Sequence, residues 1–394
     1  MATQCLFLFT AYPRWSETFL RQDLSFLQRT GLDVEAAALY PGDCDLQPGW
    51  PQATIRSPDK APGAATGSTA RRGRLADALK RLLPATLRTA LSLHTHRSLL
   101  QALEQHVLAH GFGHLHAEFA DLAALLAAHV ARRHGLSFSV GIHAFDVHAA
   151  KYDPRAIFAG ARFVTACNQA AFDACLARMP ELQGRLHLLY HGVNLDHWRC
   201  AETLPGADGD PTAPNLLFVG RLVPKKGLDI LLRALDLLVR RGLSPRLTLV
   251  GDGPLEAPLK RLADELGLSD RLSWRGVLAA AAIRALMPNM TCLCAPSVVT
   301  PDGDRDGIPN VILEAMAAGL PVIASQVGSI AEAVTPTTGW PLHTLTPETL
   351  ADAIADAAAH PEQRQQRRQQ ARQLVEARFD AAALALVRRQ LFPA

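Results

Sequence analysis

Aromatic residues are scarce in this 394-residue chain: they make up 6%, with four Tyr and five Trp, although 48% of the residues are apolar. Cores of this composition must be built from Leu, Ala and Val, and the overall balance is that of a globular protein. The seven cysteines show no paired spacing of a disulfide or zinc framework. Cys292 and Cys294 alternate on one face of an expected strand, and a reducing cytoplasm is the compartment that fits. Long apolar runs are absent too. The first run, CLFLFT, is six residues long with no basic segment before it. It reads as a buried first strand, with neither signal peptide nor membrane span expected. Net charge is only +3, and no aromatic interleaving or reader motif points to nucleic acid.

The length is too great for one ordinary core and implies two domains of about 150 to 200 residues each. Charge is unevenly spread along the chain. Between Arg71 and Arg97 stand seven basic residues (Arg71, Arg72, Arg74, Lys80, Arg81, Arg88, Arg97) against one acid, Asp77. Leu75, Leu79, Leu82 and Leu83 recur there at helical spacing, and Leu87 and Leu91 resume the pattern after Pro84. A basic amphipathic surface over residues 71–97 suits an anionic membrane leaflet, on the inner face of a cytoplasmic membrane. A helix packed on its own domain, with a solvated basic face, fits equally well.

Short apolar runs alternate with helical patterns through both halves, which argues for α/β domains with parallel sheets and crossover helices. Expected strands in the first half are Leu6–Phe9, Val34–Leu39, His114–Ala117, Phe138–Ile142, Phe163–Ala166 and Leu186–Tyr190. In the second half they are NLLFVG, RLTLVG, RLSWRG, TCLCAPS and PVIAS. The segment AETLPGADGDPTAPN lacks periodicity and marks a boundary. Residues 1–195 are therefore read as one Rossmann-like domain, 196–214 as a linker and 215–375 as a second Rossmann-like domain. Residues 376–394 are read as a C-terminal helix crossing back to the first. A crevice between the domains is the expected site, because open parallel sheets bind ligands beyond the carboxyl ends of their strands.

Several strand ends in the second half carry chemistry. FVGRLVPKKG sets Gly220 and Arg221 just after a strand, with Lys226 beside Gly227 at the start of a helix. Backbone amides, a helix N-terminus and two cations make a diphosphate cradle. Gly251, in VGDGP, lies at the same sheet edge. In DGDRDGIPNVILEAMAAGLPVIAS, Pro309 suits the first helical position, and Gly319 with Pro321 ends the helix. Free amides around Ile308, Asn310 and Val311 can hold an anion. Glu314 follows about 9 Å further along, at 1.5 Å per residue. That is roughly the reach from a diphosphate to a ribose, whose two hydroxyls a carboxylate can bind. Asp306, before the helix, faces the group beyond the phosphate.

FVGRLVPKKG, GDGP and DGIPNVILEAMAAGLPVIAS resemble the donor-domain motifs of family 4 glycosyltransferases, retaining enzymes of the GT-B fold with two Rossmann-like domains facing a central cleft. AYPRWSETFL, HLHAEFA, SFSVGIHAFDVH and LYHGVNLDHW resemble the bacterial exopolysaccharide branch typified by colanic acid biosynthesis transferases. The resemblance spans nearly the whole chain. It implies that Arg221 and Lys226 bind the diphosphate and Glu314 the ribose. Asp306, where the family usually has Glu, would contact the donor sugar, with backbone contacts from Gly307 to Pro309. His143 matches a histidine near the reacting sugar and acceptor, and Asp146 is its neighbour in the motif. Ser16, Glu17 and Thr18 occupy the loop where many relatives have a Gly-rich turn by the phosphates. Two departures stand out. Asp306 is one methylene shorter than Glu, roughly 1.5 Å of reach. Glu118 stands where the branch often has a second His, which favours a structural role for His116.

The implied reaction moves a glycosyl group from a UDP- or GDP-linked sugar to a hydroxyl of a glycan or lipid-linked acceptor, with retention, in cell-surface or exopolysaccharide biosynthesis. No cofactor beyond the co-substrate and no metal is expected, since cations and helix amides neutralise the leaving group. Asp302 and Asp304 have Asp-X-Asp spacing, but in the wrong context for a metal-dependent transferase. A phosphorylase or nucleotide-sugar epimerase on the same fold is a rival reading that the loop motifs disfavour. A catalytically weak GT-B scaffold, binding nucleotide sugar or glycan as a partner subunit, is the alternative that Asp306 motivates.

Overall fold

The computed structural model describes residues 3–12, 18–42, 53–54, 84–143, 146, 152–199 and 210–394. Chain contacts divide it into two compact units, residues 1–190 with 384–394, and residues 191–383.

In the first unit the described elements run β1 (Cys5–Tyr12), α1 (Thr18–Arg29), β2 (Val34–Pro41), β3 (Ala53–Thr54), α2 (Ala85–Thr95), α3 (Arg97–His110) and β4 (His114–Glu118). There follow α4 (Leu122–His134), β5 (Ser137–Ile142), α5 (Pro154–Phe158), β6 (Phe163–Ala166), α6 (Gln169–Arg178) and β7 (Leu186–Leu188). The strands form one parallel sheet in the order β3-β2-β1-β4-β5-β6-β7. Cys5 to Phe9 are all buried, the near-continuous apolar run of a strand covered on both faces. Leu122 to Ala128 of α4 are likewise buried, and Asp121 caps that helix by accepting from the Ala123 amide at 3.0 Å.

In the second unit the elements are β8 (Asn215–Val219), α7 (Leu228–Arg240), β9 (Arg246–Val250), α8 (Glu256–Glu265), β10 (Leu272–Trp274), α9 (Ala280–Leu286) and β11 (Cys292–Ala295). Then come α10 (Asn310–Ala318), β12 (Val322–Ser325), β13 (Trp340–Leu342), α11 (Pro347–Ala359), α12 (Pro361–Arg378) and α13 (Ala381–Arg389), the last of which ends within the first unit. Its parallel sheet has the order β10-β9-β8-β11-β12-β13. Leu228, Leu231, Leu232, Leu235 and Leu238 bury one face of α7, each contributing about 1.5–3 kcal/mol of apolar burial.

Both sheets therefore share the doubly wound order in which the winding reverses beside the first strand. The reversal lies between β1 and β4 in one unit and between β8 and β11 in the other. Two local expectations are corrected. Helix α10 begins at Asn310, and Pro309 caps it with an extended ψ of 129°. The long C-terminal helical pattern breaks at Phe379 and Asp380, where Asp380 bridges to Val193 in β fashion.

Of the basic stretch 71–97, residues up to 83 lie outside the described residues. From Ala85 onward it is helical, with Leu87 52% and Leu91 37% exposed. No helix among the described residues is long and apolar enough to cross a membrane.

Candidate functional site

The second unit gathers its charged residues beyond the carboxyl ends of β8 and β11, at the winding reversal. Residues Pro224–Lys226 form a single 3-10 turn after β8, closed by Gly227 in the left-handed region at φ 59°. A Cβ on Gly227 would stand 2.0 Å from the Pro296 carbonyl oxygen, so only glycine lets the lysine turn lie against the loop after β11. Gly251 plays the same part: at φ 127°, its Cβ would fall 2.0 Å from the Gly220 oxygen. The Lys226 stem passes beside Gly220, with Cε 3.5 Å from where a Cβ would be.

Lys226 Nζ donates to Asp306 Oδ2 at 2.7 Å, and Ser297 Oγ donates to the same oxygen at 2.7 Å. Lys225 Nζ pairs with Asp304 Oδ1 at 3.0 Å and lies 3.7 Å from Asp306 Oδ1. Asp306 is buried. Burial pushes its carboxyl up, but the opposing charge and hydrogen bond of Lys226, with Ser297 and Lys225, hold it below the ordinary aspartate value. The next loop closes over this acid: a Cβ on Gly328 would lie 2.1 Å from the Asp306 carbonyl oxygen. Arg221 is exposed at the same sheet edge, and among the described residues its side chain has no ion-pair partner.

Glu314 sits in a helix whose other central residues, Ile312, Leu313, Ala315, Met316, Ala317 and Ala318, are all buried and apolar. Burial pushes its carboxyl up to about 7. Among the described residues no donor or cation pairs with it. A half-desolvated carboxylate without a partner, one helix length from free amides, is suited to receive donors from a ligand. Gly307, Ile308 and Pro309 lead into α10, and its first amides at Asn310 and Val311 have no side-chain cap.

The first unit holds a second cluster. His143 follows β5, and its amide donates to Asp146 Oδ2 at 2.9 Å. Ser16 and Glu17 lie outside the described residues, and Thr18 opens α1. The Ser139 hydroxyl is 2.7 Å from both His114 Nε2 and His116 Nδ1. His116 Nε2 lies 3.4 Å from Glu118 Oε1. Burial lowers the His116 value and takes that of His114 down to about 3, which disfavours the charged form of both rings within the sheet. Glu118 in turn meets Arg388 Nη1 at 3.2 Å, and the same nitrogen lies 3.2 Å from Asp23 Oδ2.

Several of these partners escaped the sequence. Ser297 follows no motif, Lys225 and Asp304 lie within FVGRLVPKKG and DGDRDG but with no local cue to their pairing, and Arg388 is one of two arginines in ALALVRRQLF. Glu118 alone carried a signal, as a carboxylate within a histidine-rich strand.

Residues 207–374 match the family described as glycosyl transferases group 1. WcaL of Escherichia coli (strain K12), named as a colanic acid biosynthesis glycosyltransferase, is 34% identical over 146 residues, covering 36% of this chain and 35% of that protein. The amylovoran biosynthesis glycosyltransferase AmsK of Erwinia amylovora is 35% identical over 141 residues, covering 36% of this chain and 34% of its own. The chain thus matches about a third of the length of these relatives. Among solved structures, HepE of Anabaena, in complex with UDP and glucose, superposes with a TM-score of 0.72 at 19% identity, over 98% of both chains. The chain therefore has the fold of GT-B glycosyltransferases, and its residues 207–374 are similar to the group 1 glycosyl transferase family.

Proposed function

We propose that this protein is a retaining, family 4 glycosyltransferase that moves a sugar from a UDP- or GDP-linked donor to a hydroxyl of a glycan or lipid-linked acceptor in cell-surface or exopolysaccharide biosynthesis. The observation that carries the reading is the cluster at one sheet edge of the second unit. It combines a lysine turn, an uncapped helix start and, within that helix, a carboxylate pushed up to about 7. Colanic acid and amylovoran in the relatives' names, and UDP with glucose in HepE, support donor and setting.

In this reading Arg221, Lys226 and the first amides of α10 neutralise the diphosphate as it leaves, and Glu314 accepts from the ribose hydroxyls. Asp306 and the backbone of Gly307 to Pro309 contact the sugar, and His143 positions the acceptor. The anomeric C–O bond to the diphosphate breaks as the acceptor oxygen arrives on the same face, and the acceptor proton passes to the departing phosphate oxygen. Charge stabilisation of an oxocarbenium-like transition state supplies the rate, and no step calls on a metal. The work is assigned to the cytoplasm, with residues 71–97 resting on an anionic membrane surface.

Purified protein incubated with UDP- and GDP-sugars, with and without lipid-linked acceptor, tests the proposal. Acceptor-dependent release of nucleoside diphosphate, with an α-linked product from an α-linked donor, is the expected result. Binding of donor without turnover for every pair would instead establish the scaffold alternative.

A further inference from the structure

The imidazole of His143 is approached from three sides within the first unit. Its Nε2 lies 3.6 Å from Glu118 Oε2, an ion-pair separation longer than an ordinary hydrogen bond. Its Nδ1 lies 3.6 Å from Cys167 Sγ, a thiol that Asn168 also reaches at 3.3 Å. The Phe119 ring stacks on it with centroids 4.2 Å apart, and Phe19 flanks it at 5.7 Å.

The backbone around Glu118 is shaped for this arrangement. Glu118 is in register with Gly141 on the neighbouring strand. A Cβ at Gly141 would stand 2.1 Å from Glu118 Oε2, so the carboxylate occupies the space that a side chain there would take. Phe119, the next residue, has a φ of 72°, the one positive value at a non-glycine among the described residues. Such strain persists where surrounding structure over-determines it, commonly at functional sites. Behind Glu118, Arg388 Nη1 bridges to Asp23, so a cation from the C-terminal segment fixes the carboxylate that faces the imidazole.

We infer that Glu118, anchored by Arg388, is a positioning residue that fixes the orientation and charge of the His143 imidazole. It acts through its partner, as a buried carboxylate does when it orients a neighbouring histidine ring. The charge environment agrees. Burial pushes His143 down, but Cys167 and Glu118 outweigh it and raise the imidazole above its ordinary value. Glu118 itself is held well below the carboxylate range: burial raises it, and the hydrogen bond from His116, the nearby His143 imidazole and the charge of Arg388 overcome that. Asp146 adds a second carboxylate, accepting from the His143 amide.

The catalytic consequence rests on the transferase reading, so the test has two readouts. Glu118→Gln keeps the volume and removes the charge. In the full chain, kcat should fall about tenfold or more with donor KM changed less than about twofold. The His143 imidazole, followed by NMR, should titrate at lower pH than in the parent protein. An unchanged titration, an unchanged kcat, or a loss confined to KM would each overturn the inference. If no donor and acceptor turn over, the transferase reading fails and the titration alone judges Glu118. If Glu118→Gln does not fold, Cys167→Ala decides, because it leaves Glu118 as the group that raises the imidazole: His143 titrating at or below about 6.5 in that variant refutes the inference, and a clearly higher value upholds it.

Discussion

Lys226 Nζ donates to Asp306 Oδ2 at 2.7 Å, across 80 residues of sequence. The cation proposed to hold the donor's diphosphate is thus bound to the acid proposed to contact its sugar. A diphosphate entering this cradle competes with Asp306 for the lysine, and the acid keeps its other oxygen near Lys225 at 3.7 Å.

Asp306→Asn should therefore tighten nucleoside diphosphate binding while lowering turnover. A charged hydrogen bond is worth about 1.5–3 kcal/mol, and only part of it is released, so a gain of severalfold to about tenfold is expected. Isothermal titration with UDP and GDP, set beside steady-state rates, checks this. Weaker binding would mean that Asp306 orients Lys226 for the diphosphate and does not compete with it.

Lys226→Ala should abolish most transfer. Loss of one charge-stabilising group at the leaving diphosphate costs on the order of a hundredfold or more in rate. The change should appear in kcat/KM for the donor and leave the secondary structure intact by circular dichroism. Full activity would remove Lys226 from the site.

Glu314 titrates at about 7 in the folded chain, above its ordinary value, because burial disfavours the charged form. Its contribution to stability is complete below the ordinary glutamate range and is lost as pH rises through about 7. Glu314→Gln should accordingly raise Tm at pH 8 and change it little at pH 5. If the ionised carboxylate receives the ribose, nucleotide affinity should climb between pH 6 and pH 8 in the parent protein and stay flat in the variant. Calorimetry in two buffers of different ionisation heat would reveal the accompanying proton release.

Arg388→Met would leave Glu118 and Asp23 facing each other without their cation. Removing one partner of a buried ion cluster costs about 3–5 kcal/mol, which urea unfolding followed by a probe in the first unit can read. Glu118 is depressed in the folded state, so the stability tied to its charge is present at neutral pH and lost as pH falls through its folded value. The difference between the two proteins should shrink in acid.

Neutralising Arg71, Arg72 and Arg74 should weaken co-sedimentation with vesicles rich in anionic lipid, by roughly 1 kcal/mol per charge near the surface. The exposed Leu87 and Leu91 would supply the apolar part of such a contact. Unchanged partitioning would return this stretch to an ordinary solvated helix.

Much of the architecture was legible because its causes are local. Short continuous apolar runs such as CLFLF, bounded by polar residues, read as covered strands, and the 3-4 leucine spacing of α7 reads as an amphipathic helix. The glycines at 227 and 251 mark turns because no other residue tolerates the backbone there. The helix start was misplaced by one residue because Pro309 satisfies both the cap and the first turn in φ, and ψ decides between them. The C-terminal pattern was read through Phe379 because nothing in the local sequence forbids a helix there. The bridge from Asp380 to Val193 breaks it.

By itself, then, the sequence determined two strand-helix alternations, the loops that carry charge, and the helix in which Glu314 is the one acid among apolar neighbours. Strand order decided the rest. Placing β8 beside β11 brings Lys226 to Asp306, and placing β4 beside β5 sets Glu118 over Gly141. Arg388 reaches Glu118 across 270 residues. Charge pairing of this kind has no local signature, because its energy depends on which backbones the sheets bring within a few ångströms and on the water they exclude.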